Sequence, residues 1–224
     1  MTEERVLYED NHLIAVQKLP SDIVQGDKTK DKPLSEIVKS FLKDKYNKPG
    51  NVFCGVIHRI DRPVGGIVVF AKTSKSLARM NKLFQDKQIQ KTYLAVVKNK
   101  PSKKTDKLVH YLLKNQKQNK SYPVDSERGK KSELTYDVIK SSDNYHLLKI
   151  TPHTGRHHQI RCQLSAIGSP IKGDLKYGFD RPNQGGSIHL HAAEIQFDHP
   201  VTKEKIIIKS QPPQDPLWDF FTRS

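Results

Sequence analysis

The chain has 224 residues, 35% hydrophobic and 28% charged, with 39 Lys and Arg against 24 Asp and Glu, a net charge of +15 and a pI near 9.7. That length suits one large domain or two small ones, and apolar runs such as GGIVVFA and HLLKI exclude a disordered chain. No apolar run reaches the ~18 residues of a membrane span, the acidic start MTEERVLYED lacks the apolar core of a signal peptide, and Cys54 and Cys162 form neither a disulfide framework nor a metal spacing.

Residues 5–18 predict two short strands around the turn residues Asp10 and Asn11. Gln25 to Pro33 is a polar loop. Leu34, Ile37, Val38, Phe41 and Leu42 then recur at helical spacing, with Pro49 and Gly50 closing the helix. Residues 52–72 carry the stretch HRIDRPVGG and then the β-branched run IVVFAK, read as a buried strand. Ser74 is placed to cap a second helix with an apolar stripe of Leu77, Met80, Leu83 and Phe84. Lys91 to Lys98 alternates like a strand. Residues 98–107 read as a basic loop, and 114–132 as a second long polar loop, functional or mobile. ELTYDVIK and YHLLKIT form a hairpin around Ser142 to Asn144. TGRHHQIRCQLSAIG turns into a helix with Ile160, Leu164 and Ile167 on one face and Gly168 as its stop. Two more strands follow, in GGSIHLHAAEIQFDHP and KIIIK, and the tail offers Trp218, Phe220 and Phe221 as anchors. Strands outnumber helices and follow one another directly, which indicates an α+β fold with a mainly antiparallel sheet.

The charge indicates polyanionic partners, nucleic acid first among them, with a lysine-rich solvated surface as the alternative. HRIDRPVGG, His58 to Gly66, sets Asp61 between Arg59 and Arg62. A carboxylate there can be a nucleophile, a general base, a metal ligand or half of an ion pair. Reaction as a nucleophile requires it ionised, and a nearby guanidinium favours the charged form. The glycines behind Pro63 permit close approach of a backbone or a substrate. Further along, His158, Arg161 and Ser165 share a helix face by their spacing. That face adjoins the apolar one, so Arg161 is expected to be partly buried and in need of an anion, with Asp61 the expected partner and a solvated Arg161 the alternative. Tyr93, beside Lys91, is either a base-stacking tyrosine or a core one. His189 and His191 point to one side of a strand. No acidic residue or cysteine stands at a zinc-site spacing from the histidines, so no metal is expected.

HRIDRPVGGIVVFAK, QKTYLAVV, HTGRHHQIRCQLSAIGSPIKGDLKYG and LHAAEIQFDHP occur in this order. Together they resemble the RluA-type family of RNA pseudouridine synthases over most of the chain from Val6 onward. The resemblance implies a mixed, largely antiparallel sheet with flanking helices and a central catalytic cleft. It implies that Asp61 is the catalytic aspartate, that Arg59 enters the helical stack in place of the displaced nucleotide, that Tyr93 packs against the flipped base, and that Arg161 pairs with Asp61. It implies an RNA isomerase needing neither metal nor organic cofactor. His58, Arg62, Arg156, His158 and Gln159, which flank these positions, are taken as RNA-contacting.

The chemistry fits that reading. Converting uridine to pseudouridine breaks N1–C1′, turns the uracil and joins C5 to C1′, with nothing consumed. Flipping costs a few kcal/mol, least at unpaired sites. Lysine-rich loops would bind phosphate and make affinity salt-dependent. Attack at C1′, attack at C6 and a glycal route with Tyr93 as base all remain open. The sequence departs from the family at Gly65 (usually serine), at His157 (threonine or serine) and at Asp22 in KLPSDIV (glycine). The domain pattern starts at Val6, so one catalytic domain over residues 1–224 is expected, with no S4-like module ahead of it. The expectation is a cytoplasmic monomer acting on ribosomal or transfer RNA. An RNA chaperone on the same fold, and a histidine-based metal hydrolase, are the rival readings.

Overall fold

The structure, a computed structural model, describes residues 1–27 and 29–223; Lys28 of the expected Gln25–Pro33 loop and Ser224 lie outside the described residues. In chain order the strands are β1 (Val6–Glu9), β2 (Leu13–Lys18), β3 (Gly55–Val56), β4 (Gly65–Ala71), β5 (Gln90–Val97), β6 (Thr105–Asn115), β7 (Lys120–Val124), β8 (Lys130–Ser141), β9 (His146–Pro152), β10 (Leu190–Asp198) and β11 (Lys205–Lys209). The helices are α1 (Leu34–Lys45), α2 (Ser74–Gln85), α3 (Gln159–Ala166) and α4 (Pro216–Thr222). This is the expected α+β class. The chain divides into two compact units, one of Met1–Gln90 with Ala192–Pro212, the other of Lys91–His191 with Pro213–Ser224.

In the first unit the strands run β1-β2-β4-β10, with β11 on β10 and β3 on β4. β2 and β4 are antiparallel, Leu13 facing Ala71 and Lys18 facing Gly66. Both are apolar nearly throughout because both faces of the pair are covered. Ile14, Val16, Val68 and Phe70 pack against Leu34, Val38 and Leu42 of α1. Leu13, Ala15, Ile67 and Val69 pack on the other side with Met80 of α2, Ile195, Phe197 and Ile208. Each fully buried side chain of this size contributes about 1.5–3 kcal/mol. The turn between β1 and β2 is closed by Asp10, whose Oδ1 accepts from the amides of His12 (2.7 Å) and Leu13 (2.6 Å). The cap of α2 is Thr73 and not Ser74: the Thr73 hydroxyl oxygen accepts from the Ser76 amide at 3.1 Å. Thr73 has the extended backbone of a cap, whereas Ser74 is already helical.

In the second unit the strands run β5-β9-β8-β6-β7, and each of these ladders is antiparallel. The stretch 114–132, expected as a loop, is about half strand: the end of β6, a four-residue turn, β7, a five-residue turn and the start of β8. Its lysines and serines hide no apolar period, because β7 is an edge strand held by main-chain bonds to β6. Pro123 is tolerated in β7 for the same reason. The basic loop ends earlier than expected, at Lys104. At the C-terminus Trp218 and Phe221 of α4 are buried with Val96 and Leu147, while Phe220 is exposed. Trp218 and Phe221 stand three residues apart on one side of the helix, and Phe220 falls off that side.

Candidate functional site

Asp61 lies in the loop between β3 and β4 and is half-buried. The loop turns sharply, with the Val64 amide bonding the Asp61 carbonyl at 3.0 Å. What holds it is Lys18, the last residue of β2. Lys18 is 1% exposed, and its Nζ donates to the carbonyls of Leu19 (3.1 Å), Arg62 (3.0 Å) and Val64 (2.7 Å). Burial pushes the Lys18 ammonium down to about 8, with Asp22 and Asp61 pulling it back up. Gly66 sits at φ +120, and a Cβ there would meet the Ala192 carbonyl oxygen at 2.3 Å. The close approach allowed at this glycine is therefore to the backbone of β10.

The neighbours of Asp61 go different ways. Arg59 is exposed, and among the described residues no hydrogen bond or ion pair holds its side chain. Arg62 pairs with Asp31 at 2.7 Å in solvent. His58 accepts from the Val69 amide at 3.1 Å through Nε2 and lies 5.3 Å from the Phe84 ring, so strand and helix fix its ring. Asp22, at the departure near the N-terminus, pairs with Arg5 and accepts from the Leu19 amide at 3.1 Å.

In the second unit Tyr93 stands opposite Ile150, which in turn stands opposite Tyr136. Antiparallel partners share a sheet face, and Ser132, Leu134 and Tyr136 alternate onto it. Gln163 of α3 reaches that same face, with Nε2 3.1 Å from the Ser132 carbonyl and 3.1 Å from His110 Nδ1. Tyr93 therefore stands on the face that α3 covers, with Arg161 on that helix. Lys91, two residues before Tyr93, has its ammonium pushed down by burial.

Arg161 is 5% exposed, the buried one of the two alternatives for its helix face. Its unit supplies an anion that sequence reasoning had not singled out: Asp174 accepts from Nε at 2.7 Å and from Nη2 at 2.8 Å. The expected cluster of His158, Arg161 and Ser165 does form, and it closes on Tyr177. His158 Nδ1 is 3.0 Å from the Tyr177 hydroxyl, the Arg161 guanidinium carbon lies 5.1 Å from the ring centre, and the Ser165 hydroxyl donates to the Tyr177 carbonyl at 2.7 Å. Asp174 and Tyr177 could have been found from the GDLKYG stretch, where two glycines bracket an acid and an aromatic.

Arg156 is exposed and donates through Nε to the Lys131 carbonyl at 3.1 Å. Gln159, expected to touch RNA, is turned inward: Oε1 accepts from the Thr154 hydroxyl (2.7 Å) and the Arg156 amide (3.0 Å), and Nε2 donates to the Glu133 carbonyl (2.9 Å). It clamps the loop before α3. His157, where the family carries threonine or serine, stacks on His158 at 3.7 Å, with Nδ1 2.9 Å from the Ser121 hydroxyl.

His158 is buried at φ +52, an unusual backbone for a residue with a Cβ. The Tyr177 hydroxyl accepts from the Ser121 amide at 2.8 Å and so turns its own proton toward His158 Nδ1. Burial first, and then the Arg161 charge, push His158 down to about 2. A ring neutral when folded but protonated below 6.5 when unfolded gives the unfolded state the extra proton, so its contribution to stability is lost as pH falls from 6.5. Between pH 6.5 and 4.5 the loss through this ring is expected to be about 2–3 kcal/mol. Urea unfolding of wild type and His158→Gln across this range checks it; the variant is expected to show the flatter slope.

Three further histidines make structural contacts. His189 bonds Asp215 at 3.0 Å through Nε2 and stacks on Trp218, which His191 meets edge-on. His199 Nε2 lies 2.8 Å from Asp10. Among the described residues no group of three or more His, Cys, Asp or Glu side chains is placed to hold a metal, and no helix is long and apolar enough to cross a membrane.

Residues 12–166 match the family described as RNA pseudouridylate synthase. A ribosomal large subunit pseudouridine synthase C of Haemophilus ducreyi is 35% identical over 92% of this chain and 65% of its own length. A tRNA pseudouridine synthase C of Haemophilus influenzae is 33% identical over 91% of this chain and 90% of its own. Among solved structures, human RNA pseudouridylate synthase domain containing 4 superposes with a TM-score of 0.81 at 20% identity, over 97% of this chain and 92% of that one. The domain-containing 1 protein gives 0.74 at 21%, over 96% and 86%.

Proposed function

Because the chain belongs to the RNA pseudouridylate synthase family, we propose that it isomerises uridine to pseudouridine in ribosomal or transfer RNA, with Asp61 as the reacting carboxylate. The observation that carries this reading is the family match from residue 12 to 166, which spans HRID, KTY and HQIR in one unbroken run. The match crosses both compact units, which supports treating them as halves of one catalytic domain. The names of the relatives supply the two RNA classes.

Each residue's surroundings are compatible with its role. Asp61 rides on a loop tied at two of its carbonyls, those of Arg62 and Val64, so its carboxylate is presented by a fixed backbone. Arg59, exposed and unheld, is available to fill the gap left by an extruded base. The Arg62–Asp31 pair is solvent-exposed and worth only about 0–1 kcal/mol, so Arg62 readily exchanges it for a phosphate. Arg156 offers a second exposed guanidinium. Tyr93 would stack on the flipped uracil and Arg161 would keep Asp61 ionised. His158 and Gln159 act through the loop they shape. In the rearrangement the C5 proton leaves as N1 gains one, so neither oxidant nor cofactor is required. We place the protein in the cytoplasm as a monomer.

The test is incubation with ribosomal and transfer RNA transcribed without modification, followed by chemical labelling of pseudouridine and mass spectrometry. Pseudouridine at discrete positions in one of the two RNAs is the expected result. Complete absence from both sinks the reading.

A further inference from the structure

We infer that Asp174 is a positioning residue that fixes the direction of the Arg161 guanidinium; the inference rests on the role proposed for Arg161 above. The two side chains are 1% and 6% exposed and joined by two parallel bonds, Oδ2 to Nε at 2.7 Å and Oδ1 to Nη2 at 2.8 Å. Two bonds from a rigid fork fix the guanidinium plane, where a single bond would leave it free to turn. Asp174 takes the Nε and Nη2 edge and so sets where Nη1 points.

A second restraint acts on the same group. The Tyr177 ring lies 5.1 Å from the guanidinium carbon, and that ring cannot swing away. Its hydroxyl is held by the Ser121 amide at 2.8 Å and by His158 at 3.0 Å. Asp174 and Tyr177 belong to one tight turn, with the Tyr177 amide on the Asp174 carbonyl at 3.1 Å. Gly173 at φ +85 and Gly178 at φ +95 bracket the turn, and a Cβ on Gly173 would come within 2.6 Å of the Asn183 side chain. Carboxylate and ring are thus one rigid piece addressing one guanidinium. A buried ion pair is a poor stabilising device compared with packed apolar residues, so stability alone does not account for this construction.

The rival role is simple charge balance, and Asp174→Glu separates the two. It keeps the negative charge but lengthens the side chain by one methylene. Wild type, Asp174→Glu and Asp174→Asn are assayed for pseudouridine formation on the RNA that wild type modifies, at a temperature where circular dichroism shows the variant folded. A misplacement of about 1 Å at a reacting group costs on the order of 100-fold. The folded variants are expected to lose at least about tenfold in kcat, with KM within about threefold. Asp174→Glu is read first because it keeps the pair charged; if it does not fold, Asp174→Asn is scored by the same thresholds. A smaller loss of kcat, or a loss carried mainly by KM, overturns the inference. A wild type that makes no pseudouridine fails at the earlier reading instead.

Discussion

Asp61→Asn is expected to lower pseudouridine formation by at least about 10³-fold while leaving the fold and RNA affinity close to wild type. The replacement keeps the shape of the side chain and removes its charge. The main-chain bonds of the turn stay in place, since the Val64 amide bonds the main-chain carbonyl of Asp61 and Lys18 still holds Arg62 and Val64, with Asp22 left to support its charge. The measurement is single-turnover pseudouridine yield, with filter binding of the same RNA and a thermal melt as controls. Retained activity within about tenfold would remove Asp61 from the chemistry. Retained cellular function with lost activity would favour the RNA-chaperone reading.

The second large effect belongs to a residue outside the HRID motif. Lys18→Met fills nearly the same volume but donates to nothing, so the carbonyls of Leu19, Arg62 and Val64 lose their shared ammonium. Leaving a buried acceptor unpaired costs about 1–3 kcal/mol; Leu19 and Arg62 each keep one bond, from the Asp22 and Ser21 amides, so the loss falls on Val64 and is expected to be about 2 kcal/mol. For a chain of this size that lowers the melting temperature by roughly 4–8 °C. Activity is expected to fall by at least about tenfold at temperatures where the variant is folded, because the loop that presents Asp61 loses its tether. A melt unchanged within 2 °C, on the order of the effect of a neutral surface change, would show that the loop is held by something else.

Much of the fold was legible because burial leaves a period. Leu34, Val38 and Leu42 recur one helical turn apart, and they are the apolar residues α1 buries. The run IVVFA reads as a strand covered on both faces, and both faces of β4 are covered. β7 escaped because its stability comes from main-chain pairing at a sheet edge, which imposes no side-chain pattern. Phe220 was expected to be an anchor on hydrophobicity alone, which says nothing about which way a short helix faces.

For the site, the same limit is sharper. Sequence by itself determined the family and the convergence of His158, Arg161 and Ser165, and it singled out Asp61 for the proposed chemistry, since these depend on local order and helical spacing. It also required that a buried Arg161 have an anion. It did not say that Arg62 would pair with Asp31, that Asp174 would grip two nitrogens of Arg161, or that Lys18 would tie a loop 44 and 46 residues away. Those pairings are chosen by which groups the folded chain takes out of water together. A buried charge must be matched by whatever donor or acceptor the fold brings alongside it, and only tertiary structure decides which one that is.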